Sequence, residues 1–167
     1  DGSVHLNHGG TEMGQGLYVK VAQVVAEVFG VGLDRVRIAA TSTAKVPNTA
    51  PTAASSGSDL NGMAAKAAAE TIRDRLAEVA AVLFGGAPDD VVFAGGEVRL
   101  GDRSASFAEI AKKAHLARVS LSSTGFYATP GITWDREAAH GRPFYYYSYG
   151  AACSEVVIDT LTGEMRV

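Results

Sequence analysis

Residues 8–16 read His8-Gly9-Gly10-Thr11-Glu12-Met13-Gly14-Gln15-Gly16, four glycines in nine positions interleaved with polar side chains. Glycine admits positive φ and lets a bound group approach the main chain without meeting a Cβ. The stretch is wedged between an alternating run, Ser3-Val4-His5-Leu6-Asn7, and an apolar helical pattern that starts at Leu17. A helix beginning there aims its unpaired N–H groups, and the positive end of its dipole, at whatever sits over the loop. An anion is the expected occupant. A plain turn would account for the glycines but not for Thr11, Glu12 and Gln15. Glu12 fits two roles, a buried base or a carboxylate that stabilises the helix N-terminus, and the residues alone leave both open.

The second candidate stretch runs from Thr41 to Asp59 and is made of small and hydroxylated residues with prolines at 47 and 51. So long a connection without regular structure is usually either functional or disordered. It leads into a helix expected from about Ser58 to Phe84, and Ser56 and Asp59 have capping-box spacing with Asp in place of the usual Glu. Two polar loops, far apart in the chain, thus each end at a helix N-terminus. They are expected to converge on one small, hydrogen-bond-rich anionic ligand.

Other chemistry is less well supported. The histidines at 5, 8, 115 and 140 have no carboxylate at metal-ligand spacing and no His-x-x-x-His pair, so each reads as structural or solvent-facing. No Gly-x-Ser-x-Gly elbow is present. Residues 10–16 lack the Gly-Lys-Ser/Thr of a phosphate-binding P-loop and the spacing of a dinucleotide fingerprint. Tyr145, Tyr146, Tyr147 and Tyr149 have no basic partners and read as strand residues rather than a platform for bases. Cys153 reads as a small buried residue. No catalytic residue and no metal ligand is assigned.

The elements that position these loops follow from periodicity. Val4 and Leu6 alternate with polar neighbours as in a half-buried strand, and Leu17, Val21, Val24, Val25 and Val28 repeat at helical spacing up to Phe29. Gly30 and Gly32 stop that helix, and residues 35–39 read as the next strand. In the long helix, Leu60, Ala64, Ala67, Thr71, Ile72, Leu76, Val79 and Leu83 are expected to form the buried face. Residues 91–93 and 97–100 flank Ala94-Gly95-Gly96 as a hairpin, and Ser106 with Glu109 opens a short helix through His115. Residues 125–143 read as an irregular excursion. Residues 144–159 read as a long strand or a pair broken at Gly150, with a final strand at 164–167. The whole predicts an α+β fold, a mixed sheet with packed helices.

A chain of 167 residues that is 47% hydrophobic and 20% charged has the make-up of an ordinary globular domain. The net charge of −3, without a basic stripe, argues against nucleic acid as a partner. No apolar run reaches a membrane span and no signal-type segment opens the chain, and with a single cysteine the expected location is cytoplasmic. The start at Asp1, almost directly in a strand, suggests a piece of a longer polypeptide.

The glycine loop, followed by Ser42-Thr43, Val46-Pro47-Asn48-Thr49, Pro51-Thr52-Ala53-Ala54-Ser55 and Asp59-Leu60-Asn61-Gly62, closely resembles the molybdopterin-binding part of the xanthine oxidase and aldehyde oxidase family of molybdenum hydroxylases. Gly125-Phe126-Tyr127, Pro143-Phe144, Ser148-Tyr149-Gly150 and Ala152-Cys153-Ser154-Glu155-Val156 continue the likeness to the far end. The resemblance implies that residues 1–167 are a fragment of one molybdopterin cofactor-binding domain. It implies that Gly14, Gln15 and Gly16 lie against the pterin of the molybdenum cofactor, with Gln15 giving amide hydrogen bonds. Thr52, Ala54, Ser55, Ser56 and Gly57 would line the cofactor near the metal and its phosphate, although Ser56-Gly57-Ser58 departs slightly from the commonest family pattern. The metal would be held by the cofactor's dithiolene sulfurs and non-protein ligands. Family chemistry is hydroxylation of a carbon next to a ring nitrogen, or of an aldehyde, with oxygen from water. Electrons leave through iron-sulfur centres and FAD on other parts of the enzyme. Purines such as xanthine and hypoxanthine are the implied substrates, with aldehydes or nicotinate-like rings as alternatives. The catalytic glutamate and the substrate-clamping arginine and phenylalanines belong to segments outside this chain, so the 167 residues alone are expected to show no turnover. The rival expectation, from another class, is a non-catalytic anion-binding or scaffold module.

Overall fold

The computed structural model describes residues 1–46, 49–53, 55–147 and 149–167. The chain divides into two compact units, Asp1–Ala128 and Thr129–Val167.

The first unit begins with β1 (Val4–Leu6), then α1 (Leu17–Phe29) and β2 (Val36–Ile38), as the periodicity predicts. β1 and β2 pair in parallel with Val4 opposite Val36 and Leu6 opposite Ile38. Parallel strands need a crossover, which α1 supplies. α1 buries Leu17, Val21, Ala22, Val25, Ala26 and Phe29, and the left-handed Gly30 ends it as Val31 N–H closes on the Ala26 carbonyl at 3.0 Å.

Against α1 lies α2 (Gly57–Phe84), the longest helix. Its buried residues are Gly62, Ala65, Ala69, Leu76, Ala77, Ala80 and Ala81. Leu76 matches the expected face, but Ala67, Thr71 and Leu83 are exposed and correct it. Alanine stands on every side of this helix, so hydrophobicity marks no single stripe. Packing selects the side whose small residues let the two helices approach closely. The Ser56–Asp59 capping box is also corrected, because the Ser56 side chain makes no cap hydrogen bond and its Oγ instead donates to the Ala53 carbonyl at 3.0 Å.

β3 (Val92–Ala94) and β4 (Glu97–Leu100) form the expected hairpin, and β5 (Arg103–Ser106) adds an unforeseen third antiparallel strand. α3 (Phe107–Leu116) follows with its capping box intact: Ser106 Oγ accepts from Glu109 N–H, and the Glu109 carboxylate accepts from Ser106 N–H at 2.9 Å. One core joins these elements through Leu6, Leu17, Val25, Leu76, Val98 and Ile110.

The second unit contains two antiparallel hairpins, β6 (Thr133–Asp135) with β7 (His140–Arg142) and β8 (Val157–Ile158) with β9 (Met165–Arg166). None of its described residues is buried. Two expectations are corrected. Among the described residues of 144–155 no strand forms, and Tyr145, Tyr146, Tyr147 and Tyr149 are exposed. Aromatic residues favour strands because they fit a half-covered pleated surface, and here no neighbouring strand provides one. Cys153 is exposed rather than buried for the same reason. The expected final strand is present as β9, and Asp159 shapes the turn before it by accepting from Leu161 N–H and Thr162 N–H.

Candidate functional site

The two polar loops meet. Thr11 N–H, in the glycine loop, donates to Thr52 Oγ1, in the second loop, at 2.8 Å across 41 residues of chain. Thr41 Oγ1, at the start of the second loop, donates to the Gly10 carbonyl at 3.2 Å and bonds the Tyr18 hydroxyl. The second loop therefore grips the glycine loop at two points. Beneath both lies Leu17, which is 1% exposed. Its δ-methyl groups stand where a Cβ on Gly10 would have to go, and 3.3 Å from where one on Gly57 would be.

The glycine loop satisfies itself to a degree its sequence does not announce. Gln15 Oε1 accepts from Met13 N–H at 2.6 Å and Gln15 Nε2 donates to the Thr11 carbonyl at 2.8 Å. Glu12 Oε1 accepts from Gly14 N–H at 2.8 Å and Gly16 N–H at 3.0 Å, and Oε2 accepts from Tyr18 N–H at 3.0 Å. Those amides, Tyr18 first and then Gly16, hold the half-buried Glu12 carboxyl below the usual carboxylate range. Glu12 is thus the carboxylate at the helix N-terminus, the second of its two expected roles.

Gly14 and Gly16 have φ of +96° and +78°, and no atom lies within 4 Å of a Cβ built on either. Within this chain they are glycines because the backbone must be left-handed, not because something presses on them. Left-handed turns of this kind let successive N–H groups converge into an anion-holding concavity.

Beside the loops opens a groove of about 1210 Å³, within the first unit. Of the predicted residues, Thr52, Ser56 and Gly57 line it, with His8, Thr49 and Asn61. Gly14, Gln15, Gly16 and Ser55 stand outside its wall. Ser55 is exposed, with a left-handed φ of 59°. Ala54 lies outside the described residues.

In the sequence His8 reads only as structural or solvent-facing, and Asn61 only as part of the stretch that carries the family resemblance; neither is assigned to the site. His8 is only 6% exposed, and its Nδ1 accepts from Gly10 N–H at 3.2 Å. That bond places the proton of the neutral ring on Nε2, which has no hydrogen-bond partner among the described residues. Burial holds the imidazole below its ordinary pKa, with the Asn61 side chain pulling more weakly the other way. The available signal was position: His8 opens the glycine motif and Asn61 lies one turn into α2.

The donor set suits a polar, ring-containing anion. Hydroxyl groups of Thr49 and Thr52, the uncapped start of α2, the Lys45 ammonium and the buried His8 Nε2–H lie along or at one groove. Asp59 Oδ1, in the first turn of α2, is a second buried atom without a hydrogen-bond partner among the described residues, but Asp59 does not line the groove. Of the two unpartnered atoms only the His8 Nε2–H belongs to a groove-lining residue, and an acceptor atom on a bound polar ring matches it. Among the described residues no group of three or more His, Cys, Asp or Glu side chains gathers for a metal. No described helix is long and apolar enough to cross a membrane.

Comparison with known proteins agrees with this chemistry. The xanthine dehydrogenase of Oryza sativa subsp. japonica is 45% identical over 99% of this chain, and the xanthine dehydrogenase/oxidase of Gallus gallus is 44% identical over 99%. The chain spans 11% of the length of each of these relatives. Among solved structures, quinoline 2-oxidoreductase from Pseudomonas putida 86 matches 76% of the chain and 18% of its own with a TM-score of 0.66 at 26% identity. CO dehydrogenase from Oligotropha carboxidovorans shares the fold at 21% identity, with a TM-score of 0.66 over 77% of this chain and 17% of its own. The model of the molybdopterin cofactor-binding domain matches residues 1–167 from end to end, and the chain belongs to that family.

Proposed function

We propose that this chain forms one wall of the molybdenum cofactor cavity in a xanthine dehydrogenase-like hydroxylase. The observation that carries the reading is the 2.8 Å bond from Thr11 N–H to Thr52 Oγ1, which joins the two expected cofactor loops in a member of this family. When bound, the cofactor supplies two-electron hydroxylation of a carbon beside a ring nitrogen, with oxygen from water. The residues of this chain orient it. Thr52, Ser55, Ser56 and Gly57, with Ala54 between them, offer hydroxyl and main-chain donors to the phosphate side. Gly14, Gln15 and Gly16 face the pterin. Gln15 reaches it by exchanging its bonds to Met13 and Thr11 for bonds of the same kind.

In this reading residues 1–167 belong to a single cofactor-binding domain, the remaining segments of which supply the catalytic base and the substrate clamp. Iron-sulfur and FAD parts accept the electrons, purines such as xanthine and hypoxanthine are the substrates, and the enzyme works in the cytoplasm. The names of the relatives support xanthine as the substrate. One observation favours the scaffold alternative, namely that the glycine loop already satisfies its own donors through Glu12 and Gln15. Metal and pterin analysis of the full-length protein separates the two. The proposal expects about one molybdenum and one pterin per chain, released as a fluorescent product on oxidation, together with xanthine oxidation. A protein with neither group overturns it. Xanthine turnover by the isolated 167-residue chain would refute the division of labour.

A further inference from the structure

We propose that the Glu12 carboxylate is a built-in anion that fills the concavity at the N-terminus of α1, closing it to external anions and fixing the main chain of Gly14, Gln15 and Gly16. Three amides point at the carboxylate: Gly14 and Gly16 on Oε1 at 2.8 and 3.0 Å, Tyr18 on Oε2 at 3.0 Å. Two of those amides belong to left-handed glycines, and the third lies in the first turn of the helix. This is the arrangement that binds phosphate or sulfate in other loop-to-helix junctions, except that here the charge is covalently attached. An attached anion acts at high effective concentration, so a free anion of similar charge competes poorly. The amides of Gly14 and Gly16, the residues either side of Gln15, are pinned by one carboxylate, which sets the direction in which Gln15 presents its side chain. Glu12 is therefore a positioning residue, and it touches no reacting group. A cofactor phosphate must then be received elsewhere, a corollary that rests on the proposed function, whereas the filling of the concavity does not.

The test follows hydrogen exchange at Gly14, Gly16 and Tyr18 in the full-length protein, with and without acetate or inorganic phosphate. In the native protein neither anion alters exchange. Glu12→Ala speeds it by about tenfold or more, the loss expected for charge-assisted bonds, and added acetate slows it again by occupying the vacated place. Glu12→Gln gives a smaller acceleration centred on Tyr18, because the amide –NH₂ then opposes the Tyr18 N–H. Slowing of exchange by either anion in the native protein overturns the proposal. So does unchanged exchange in Glu12→Ala. Molybdenum and pterin content of the same variants reads the cofactor corollary separately. A native protein with no cofactor but with anion-indifferent amides sinks the proposed function and leaves the role of Glu12 intact.

Discussion

Four residues before the N-cap of α1 stands Glu12, and four residues before the N-cap of α2 stands Thr52. Both lie in polar loops of small residues, yet the two side chains act in opposite directions. Glu12 turns toward its own helix and takes the amides of Gly14, Gly16 and Tyr18. Thr52 turns away from its helix and takes the Thr11 amide of the other loop. As a result the amides at the start of α1 are taken by a carboxylate, while at the start of α2 the Ser56 side chain makes no cap bond and Asp59, in the first turn, accepts no hydrogen bond at its Oδ1 among the described residues. A helix N-terminus preceded by a loop of small and polar residues is therefore not by itself an anion site. What decides is whether a carboxylate within reach has already filled it.

The largest expected effect comes from removing what the two termini share. Leu17→Ala empties the space beneath both Gly10 and Gly57 and should cost about 2–5 kcal/mol. In the full-length protein, denaturant unfolding should show that loss, and hydrogen exchange should rise at both loops together. A rise at one loop alone would mean they do not rest on a common floor. Thr52→Val keeps the shape but deletes the acceptor for Thr11 N–H, with an expected cost of about 0.5–1.5 kcal/mol. Exchange at Thr11 should quicken while Gly14, Gly16 and Tyr18 stay slow. If all four quicken, the loops are one unit and the contrast between them is false.

The smallest effect is the pH response. The carboxyl of Glu12 is lowered by the Tyr18, Gly16 and Gly14 amides, and that of Glu109 by the Ser106 hydroxyl and amide and by Lys113. A depressed folded pKa contributes stability that is present above the ordinary carboxylate pKa and is lost as pH falls through the lower, folded value. His8, lowered by burial, adds in the same direction beginning below about pH 6.5, its ordinary value. Acidification should therefore loosen the starts of α1 and α3, with His8 leading, and amide exchange corrected for its intrinsic pH dependence would show it. Tightening on acidification would contradict the assigned bonds.

Local signals carried much of this in the sequence. The 3.6-residue repeat from Leu17 to Phe29, the glycine stop at Gly30 and the Ser106–Glu109 capping pair each depend on neighbours within a turn or two, and each formed as read. The buried face of α2 was not legible, because Ala64, Ala65, Ala67, Ala68 and Ala69 look alike until α1 is laid against them. β5 escaped notice because Arg103-Ser104-Ala105-Ser106 contains no β-branched or aromatic residue. The tyrosines near 146 carried strand propensity without a strand to pair with. At the site, the meeting of the loops was foreseen from two polar junctions, but the assignment of Glu12 needed the positions of three amides. The burial of His8 needed the packing of Tyr18, whose ring lies 5.1 Å from it.

On the proposed reading the start of α1 is closed to a phosphate by its own Glu12, while the start of α2 is left for the cofactor phosphate. A structure of the full-length protein with molybdenum cofactor bound, at a resolution that places the phosphate, tests this most directly. The prediction is a phosphate on the Thr52–Gly57 side, with Glu12 still accepting from Gly14, Gly16 and Tyr18. A phosphate seated on those three amides with the Glu12 carboxylate swung away, or a cofactor touching neither loop, would contradict it.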